Sequence, residues 1–157
     1  LVAEEARLSD FLNDLVQDLN SSSQLKGIQI NLKIDEDEKL RKIYPSMSKM
    51  VFGNILRNAL NYSQGSEIDV ILQRNKVLIA DNGIGISLPD NSKVQELSDQ
   101  QLQLEVKGHG IGLQLVQKLC KQLGWRVELF DRQYYLSTHK DVNLTMTTGL
   151  IVVVYIN

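Results

Sequence analysis

Three asparagines on one predicted helix are the first residues whose type and spacing suggest chemistry. Asn54, Asn58 and Asn61 stand four and three positions apart, which on a helix puts them within about 60° of one another. Their amides offer neutral oxygens for a hard cation and N–H donors for phosphate. Asparagine is a poor helix former, so a solvated helix face more often carries Glu and Lys. The alternative is a polar face that is rich in asparagine by coincidence.

An aspartate at the end of a buried strand is the second candidate. Residues 77–80 are apolar and lead into Asp81, and Gly83 and Gly85 follow closely. The glycines allow a sharp turn of the backbone. A carboxylate at a buried strand end requires a hydrogen-bond donor, which the exocyclic amine of a purine would supply. The alternative is a hairpin turn at Asn82 and Gly83, although the residues that follow do not alternate as a returning strand would.

A glycine-rich segment at the start of a predicted helix is the third candidate. Gly108, Gly110 and Gly112 alternate with His109 and Ile111. Closely spaced glycines expose backbone N–H groups, and the helix N-terminus adds the positive end of the helix dipole, so the segment suits a polyphosphate. The spacing matches neither the dinucleotide-binding fingerprint nor the P-loop. Glycines that merely begin a helix are the alternative.

The hydrophobic periodicity around these candidates predicts helices and strands in mixed order. We predict helices over residues 4–20, 45–61 and 110–123, and strands over residues 27–34, 67–73, 76–80, 126–130 and 150–156. Residues 131–148 show no readable pattern. Because the strands and helices do not strictly alternate, we predict an α+β fold, a two-layer sandwich. Its mixed sheet would have about five strands, with about three helices covering one face.

Composition and charge exclude several classes of protein. The 157 residues suit one domain, and 43% apolar with 23% charged residues is ordinary for a globular protein. A formal charge of −2 without a basic block argues against nucleic-acid binding. The longest apolar run, residues 150–156, is too short to span a membrane. The single cysteine, Cys120, fits a reducing compartment, and a chain that begins at Leu1 is expected to be part of a longer protein.

The order of the three candidates resembles the ATP-binding catalytic domain of sensor histidine kinases, within the gyrase, Hsp90, histidine kinase and MutL ATPase superfamily. Residues 53–63 resemble the N box of that family, residues 81–86 its first glycine box and residues 108–113 its second. The resemblance runs from about Leu8 to the C-terminus and is weak over residues 131–148. It implies a Bergerat-type ATP-binding fold, with ATP as substrate and Mg²⁺ as cofactor.

The resemblance also implies roles for single residues. Asn58 would ligate Mg²⁺, Asn54 would lie near the metal and the γ-phosphate, and Asp81 would accept the adenine amine. The family often has Lys or Arg where Asn61 stands, a charge that Arg57 or Lys107 would supply here. The implied catalytic residues are Asn54, Asn58 and Arg57, with Asn58 and Asn54 at the metal. The implied nucleotide-binding residues are Asn54, Asn58, Asn61, Tyr62, Asp81, Gly83, Gly85, Ile86, Lys107, Gly108, His109, Gly110, Ile111, Gly112 and Leu113.

By the same resemblance, further parts of a signalling protein are expected. Neither His109 nor His139 lies in a phosphoacceptor motif, so the acceptor histidine would belong to a dimerisation domain that residues 1–22 lead in from. Residues 87–107 would form the ATP lid, although they hold no aromatic residue and so lack the F box. The partners would be that domain, a second copy bound through it, and a response regulator. The location would be cytoplasmic, in a bacterial inner-membrane sensor protein whose other parts contact the membrane.

Three other functions remain open on the residues alone. A serine kinase of the anti-sigma type resembles this pattern but has Glu where Asn54 stands. An amide cannot take a proton from a hydroxyl, so Asn54 favours a histidine acceptor. A degenerate module could bind nucleotide without transferring phosphate. An α+β interaction domain without a ligand would require all three candidate segments to coincide by chance.

Overall fold

The computed structural model describes residues 2–34, 40–85 and 112–156. In chain order the elements are β1 (Glu4–Ala6), α1 (Leu8–Asp18), α2 (Asn20–Leu25), β2 (Gln29–Ile34), β3 (Arg41–Ile43), α3 (Pro45–Tyr62), β4 (Glu67–Gln73), β5 (Lys76–Asp81), α4 (Gly112–Leu123), β6 (Arg126–Asp131), α5 (Arg132–Thr138) and β7 (Leu150–Tyr155). Within these described ranges, no helix has both the length and the hydropathy that crossing a membrane requires.

A mixed sheet of five strands, in the order β2-β4-β5-β7-β6, forms the centre of the fold. β2 runs parallel to β4, whereas the other neighbouring pairs of this sheet are antiparallel. β5 is the middle strand, and its last residue, Asp81, pairs with Ile68 of β4. The predicted α+β fold with a mixed five-stranded sheet is confirmed. The register places Asp81 at the end of the central strand.

Helices α1, α3 and α4 pack their apolar sides against one face of the sheet. Phe52 of α3 is fully buried in this layer, with its ring centroid 6.4 Å from that of Phe11 and 5.7 Å from that of Trp125. Burying an aromatic side chain of this size stabilises a fold by about 2–3 kcal/mol. This layer brings α3 into contact with β5 and α4, and so determines which polar residues can meet.

A second apolar cluster covers the opposite face of the sheet beneath α5. Its buried members are Ile71, Leu78, Ala80, Phe130, Tyr135, Leu136, Val142, Ile151 and Val153. The rings of Phe130 and Tyr135 meet edge to face, with their centroids 4.6 Å apart. The sequence pattern predicted helices on one face of the sheet only. The structure adds α5 on the other face, from the stretch 131–148 that had no readable pattern.

The prediction of one continuous helix over residues 4–20 was wrong. Residues Glu4–Ala6 form a strand that pairs antiparallel with Arg41–Ile43, because a partner distant in sequence outweighs the local pattern. The helical stretch is divided into α1 and α2 at Leu19. The serines at 21–23 lie inside α2 rather than ending a helix. The helical segment instead ends just before Gly27, which adopts a φ of +67°.

The other predicted elements that fall within the described residues agree closely with the structure. The helix predicted over residues 45–61 spans Pro45–Tyr62, and the strand predicted over 76–80 spans Lys76–Asp81. The short strand β3 was not predicted. The expected lid, residues 87–107, and the acidic run 35–38 lie outside the described residues.

Candidate functional site

The polar face of α3 carries the predicted asparagines. Asn54 and Asn58 are half-buried, whereas Arg57 and Asn61 are exposed. The Nδ2 of Asn54 donates a hydrogen bond of 2.6 Å to the carbonyl oxygen of Met50, one turn earlier in the helix. The Nδ2 of Asn54 is therefore hydrogen-bonded within α3, and a ligand would contact its Oδ1.

The amide of Asn58 is the unsatisfied polar group of this face. Its Nδ2 is buried and has no hydrogen-bond partner among the residues that the structure describes. Leaving a buried donor unpaired costs about 1–3 kcal/mol, and such groups in native proteins call for an explanation. A polar ligand beside Asn58 would remove this cost, so the residue is well placed for binding.

Asp81 ends β5 as a buried carboxylate, with 3% of the residue exposed. Its Oδ1 accepts hydrogen bonds from the backbone N–H of Gly83 at 3.0 Å and from that of Leu150 at 3.2 Å. Hydrogen bonds donated to a carboxylate favour its ionised form. An ionised carboxylate accepts hydrogen bonds and donates none. The group is therefore suited to a ligand that presents an N–H donor.

The loop that follows β5 is tied to the end of α3. The Oδ1 of Asn82 accepts the backbone N–H of Glu67 at 2.9 Å, and the N–H of Ile84 donates to the carbonyl of Ser63 at 2.9 Å. A Cβ at Gly83 would overlap that same Ser63 carbonyl oxygen. Glycine is therefore required where this loop passes the end of α3.

The segment that enters β7 closes the other side of Asp81. Gly149 has a φ of +146°, which favours glycine, and a Cβ there would overlap the carbonyl oxygen of Asp81. The hydroxyl of Thr148 donates to the carbonyl of Gly83 at 2.7 Å. Thr148 and Gly149 therefore hold the turn after Asp81 in place from the side opposite α3.

These elements enclose a small cavity of about 10 Å³ that reaches both predicted groups. It is lined by Ile55, Asn58, Ala59, Ile79, Asp81, Leu113, Leu150 and Val152. That volume corresponds to about one water molecule, so the described residues form the inner wall of a site. The amide of Asn58 and the carboxylate of Asp81 share this wall, which is the arrangement that one ligand contacting both would need.

Helix α4 brings Leu113, the last residue of the third predicted segment, to the same wall. It begins at Gly112, and Leu113 is buried beside the cavity. The positive end of a helix dipole therefore lies next to Asn58 and Asp81. Tyr62, in the last turn of α3, is 43% exposed. The other predicted residues of this segment and of the lid, Ile86, Lys107, Gly108, His109, Gly110 and Ile111, lie outside the described residues.

A larger cavity, of about 740 Å³, lies on the α5 side of the sheet, at the opposite end of β5. It is lined by Lys33, Ile71, Gln73, Arg74, Asn75, Lys76, Asp141, Asn143 and Tyr155, none of which the sequence singled out. Its lysines already have protein partners. The Nζ of Lys33 lies 3.9 Å from Asp69, and that of Lys76 donates to the hydroxyl of Tyr135 at 3.4 Å. Nothing in this cavity resembles the predicted chemistry.

His139 belongs to the packing on that same side of the sheet. Its ring stacks on Tyr135, with centroids 3.8 Å apart and planes at 4°, and its Nδ1 lies 3.0 Å from the Tyr135 carbonyl. The structure half-buries this residue at the end of α5. It takes no part in the cavity of Asn58 and Asp81.

No cluster of three or more His, Cys, Asp or Glu side chains suited to a metal ion occurs over residues 2–34, 40–85 and 112–156. A cation at the cavity would therefore rely on amide oxygens, such as that of Asn58, and on oxygens of the ligand itself. Oxygen ligands of this kind suit hard cations such as Mg²⁺. The donor set fits a metal that arrives with its ligand.

The family comparison covers every residue of the small cavity. A family model described as "Histidine kinase-, DNA gyrase B-, and HSP90-like ATPase" matches residues 45–155, from the start of α3 to the end of β7. The chain belongs to this ATPase family. The nucleotide that this family is named for is ATP, and the matched range includes both Asn58 and Asp81.

Individual relatives of this ATPase domain are sensor kinases. The chain is 30% identical over 125 residues to "Sensor protein QseC" of Escherichia coli (strain K12), a match that covers 79% of this chain and 28% of that protein. The chain thus spans just over a quarter of that relative. The structure of the catalytic domain of histidine kinase ThkA matches with a TM-score of 0.66 and 13% identity, over 99% of this chain and 97% of that one.

A third match, full-length ShkA in complex with AMPPNP, has a TM-score of 0.70 and 15% identity and covers 98% of this chain and 30% of that one. Together these comparisons establish the fold as that of histidine kinase catalytic domains.

Several residues of the site were missed by sequence reasoning. Thr148, Gly149 and Leu150 bracket the Asp81 carboxylate, and Arg132 donates to the Asp81 carbonyl oxygen at 2.9 Å. For the residues around Gly149, the sequence did offer a signal, namely a glycine directly before a predicted strand. Arg132 carried no such signal, because an arginine in a polar stretch is ordinarily exposed.

Proposed function

We propose that the chain is the ATP-binding catalytic domain of a two-component sensor histidine kinase. It would transfer the γ-phosphate of ATP to a histidine on a dimerisation domain. One observation carries the proposal, namely that Asn58 and Asp81 line one cavity beside the start of α4. The relatives named as sensor proteins support the same function.

Asp81 would recognise the adenine base. Its carboxylate, held by the N–H groups of Gly83 and Leu150, would accept the exocyclic amine of adenine. The apolar residues Ile79, Leu113 and Val152 line the same cavity and would contact the base or its edge. Gly83, Gly85 and Ile86 would shape the pocket and the hinge of the lid, and Tyr62 would lie beside the base.

Asn58 and Asn54 would hold a Mg²⁺ ion brought in with the nucleotide. When bound, the ion supplies positive charge that neutralises the phosphates. The buried Nδ2 of Asn58, a donor without a partner among the described residues, would face a phosphate oxygen and leave the Oδ1 to the ion. Asn61, Arg57 and Lys107 would complete the polar surroundings of the phosphates, and Gly108, His109, Gly110, Ile111, Gly112 and Leu113 would cradle them at the start of α4.

Phosphoryl transfer requires mainly positioning and charge neutralisation from a protein. An amide at Asn54 provides no general base, which suits an acceptor that is already nucleophilic, such as a histidine imidazole. His139 is committed to stacking on Tyr135, so it does not serve as that acceptor. The acceptor would lie on a dimerisation domain that residues 1–22 lead in from.

Further partners follow from the proposed kinase role. The domain would act within a homodimer formed through the dimerisation domain, and a response regulator would receive the phosphate. The domain would work on the cytoplasmic side of an inner membrane, in a bacterial sensor protein. Residues 87–107 would close over ATP as a lid, without the aromatic residues of an F box.

Thermal unfolding with ATP and Mg²⁺ tests the base pocket. A ligand at about 100 times its Kd stabilises a protein by about 2.7 kcal/mol, which raises the Tm of a domain of this size by about 5–10 °C. We expect this rise for the wild type and little for Asp81→Asn, each measured against its own nucleotide-free Tm. Equal rises in the two proteins would mean that the base binds elsewhere.

The metal assignment and the transfer step need separate measurements. Asn58→Ala should abolish the Mg²⁺ dependence of ATP binding, and Asn13→Ala, an exposed change on α1, should leave it intact. Phosphate transfer from ATP to a supplied dimerisation domain should be detectable with the wild type and Asn13→Ala but not with Asn58→Ala. Metal-independent ATP binding without any transfer would instead indicate a degenerate nucleotide-binding module.

A further inference from the structure

Arg132, the first residue of α5, is a buried cation directly behind the proposed base pocket. Only 2% of the residue is exposed, and it is among the largest fully buried side chains of the described structure. An arginine side chain stays protonated, and removing a charge from water costs several kcal/mol unless partners compensate. The position therefore requires an explanation beyond the packing of α5.

The guanidinium group holds two backbone carbonyls at once. Its Nη1 donates to the carbonyl oxygen of Asp81 at 2.9 Å. Its Nε and Nη2 donate to the carbonyl oxygen of Thr145 at 3.2 and 3.0 Å, and Nη2 lies 3.4 Å from the Thr145 hydroxyl. The backbone N–H of Arg132 donates to the carbonyl of Gly149 at 3.0 Å. Arg132 therefore links the end of β5, which carries Asp81, to the segment from Thr145 to Gly149.

The charge of Arg132 also acts on the nearby carboxylates. Burial lowers the pKa of Arg132, and the negative charges of Asp69, Asp81 and Glu67 oppose that shift. All three carboxylates therefore lie within electrostatic reach of the guanidinium. Asp69 has a second cation, since the Nζ of Lys33 lies 3.9 Å away, and Glu67 is exposed. Of these three carboxylates, that of Asp81 lines the small cavity.

We propose that Arg132 is a positioning residue that sets the preference of this site for adenine over guanine. By clamping the Asp81 carbonyl, the guanidinium fixes where the carboxylate meets the base. By also holding the Thr145 carbonyl, it ties that strand end to the segment beside it. This inference rests on the proposed function, in which Asp81 receives the exocyclic amine of adenine.

The chemistry of the two purines explains the preference. Adenine presents an exocyclic amine, a donor, where guanine presents a carbonyl oxygen, an acceptor. A carboxylate accepts hydrogen bonds, so in the right position it attracts the amine and repels the carbonyl. Without the hydrogen bond from Arg132 the carboxylate would no longer be held at the edge of the base, and both effects would weaken. Loss of Arg132 should therefore weaken ATP binding and improve GTP binding relative to it.

The experiment measures the Kd of ATP and of GTP, by competition against a fluorescent ATP analogue, for the 157-residue chain and three variants. Arg132→Met removes the charge and the donors, and Arg132→Lys keeps the charge but loses the fork of donors. Arg126→Met is the matched control, since Arg126 on β6 is partly exposed, stacks on Tyr155 and pairs with Glu128. Far-UV circular dichroism and thermal unfolding establish that each variant folds.

For Arg132→Met we expect the ratio of the GTP Kd to the ATP Kd to fall about tenfold, equivalent to about 1.4 kcal/mol. Arg132→Lys should weaken ATP binding about threefold to tenfold while keeping that ratio near the wild-type value. Arg126→Met should change neither quantity. A merely structural role for Arg132 would lower stability without moving the ratio.

An unchanged ratio in folded Arg132→Met would overturn the inference while the proposed function stands. If Arg132→Met does not fold, Arg132→Lys decides the question, because an ATP Kd equal to that of the wild type would then overturn it. Failure of the wild-type chain to bind ATP at all would refute the proposed function itself. The two failures are therefore distinguishable.

Discussion

Buried polar groups, rather than apolar ones, distinguish the residues of this site. The Asn58 amide has no partner for its buried Nδ2 among the described residues, and the Asp81 carboxylate is held by two backbone N–H groups. Asn58 departs from the rule that buried polar atoms are satisfied within the protein. The cavity that it shares with Asp81 explains this departure as a feature of a binding site.

Gly83 provides a prediction at the scale of one residue. In Gly83→Ala the new methyl group would overlap the Ser63 carbonyl oxygen, so the loop that carries the Asp81-binding N–H must move. We expect a loss of about 3 kcal/mol in the free energy of unfolding, together with loss of ATP binding. Urea unfolding and nucleotide titration measure the two effects.

Gly27→Ala is the matched control for that change. Unlike Gly83, Gly27 adopts a φ of +67° and has no atom within 4 Å of an added Cβ. The substitution should cost only the backbone strain of about 1–2 kcal/mol and leave ATP binding unchanged. If both variants lost the same stability and both bound ATP, close packing at Gly83 would not be what holds the loop.

At the scale of elements, α5 connects the second face of the sheet to the site. The helix begins at Arg132, and the carboxylate of Asp131 caps it by accepting the backbone N–H of Tyr134 at 3.0 Å. Since α5 is short, its placement depends on that cap and on the burial of Tyr135 and Leu136. A shift of α5 would carry Arg132 away from the Asp81 carbonyl.

Removing the cap of α5 should therefore have a measurable cost. Asp131→Ala is expected to lower the free energy of unfolding by about 1 kcal/mol, whereas Asp131→Asn, which retains a capping oxygen, should lower it by much less. Chemical denaturation of the two variants beside the wild type makes the comparison. Equal losses for Ala and Asn would show that charge, and not the cap, stabilises the start of α5.

At the scale of the whole molecule, one sheet is covered on both faces, and both cores hold groups that titrate at high pH. Burial raises the pKa of Cys120 from 9.0 to about 12 and that of Tyr155 from 10.0 to about 12. Burial also raises the pKa of Tyr135. The neutral forms are favoured in the folded state, so the unfolded state releases these protons first as the pH rises.

Stability should therefore be constant at neutral pH and fall as the pH rises above about 9. Because the folded-state pKa values exceed the unfolded ones, the loss extends up to the raised values near 12. Cys120→Ala removes one of these groups, so its stability should fall less steeply over the alkaline range. Urea unfolding at several pH values measures the slopes. Identical slopes in the two proteins would exclude the thiol as a contributor.

Much of the fold was readable from the sequence because its elements have strong local patterns. The apolar side of α3 recurs at helical spacing, and β4 and β5 contain the apolar runs 70–72 and 77–80 that form the buried middle of a sheet. The strand over Glu4–Ala6 was not readable, since its partner β3 lies far along the chain. The short α5 was also missed, since seven residues carry too weak a periodic pattern.

The types and spacing of Asn54, Asn58, Asp81 and the glycines were enough to indicate a nucleotide-binding family, because that chemistry depends on local motifs. Only the tertiary structure decided that Asn58 and Asp81 share a cavity with Leu113, and that Arg132 holds the Asp81 carbonyl from behind. Such contacts join segments distant in sequence and are determined by how the helices pack on the sheet. Local patterns carry no information about that packing.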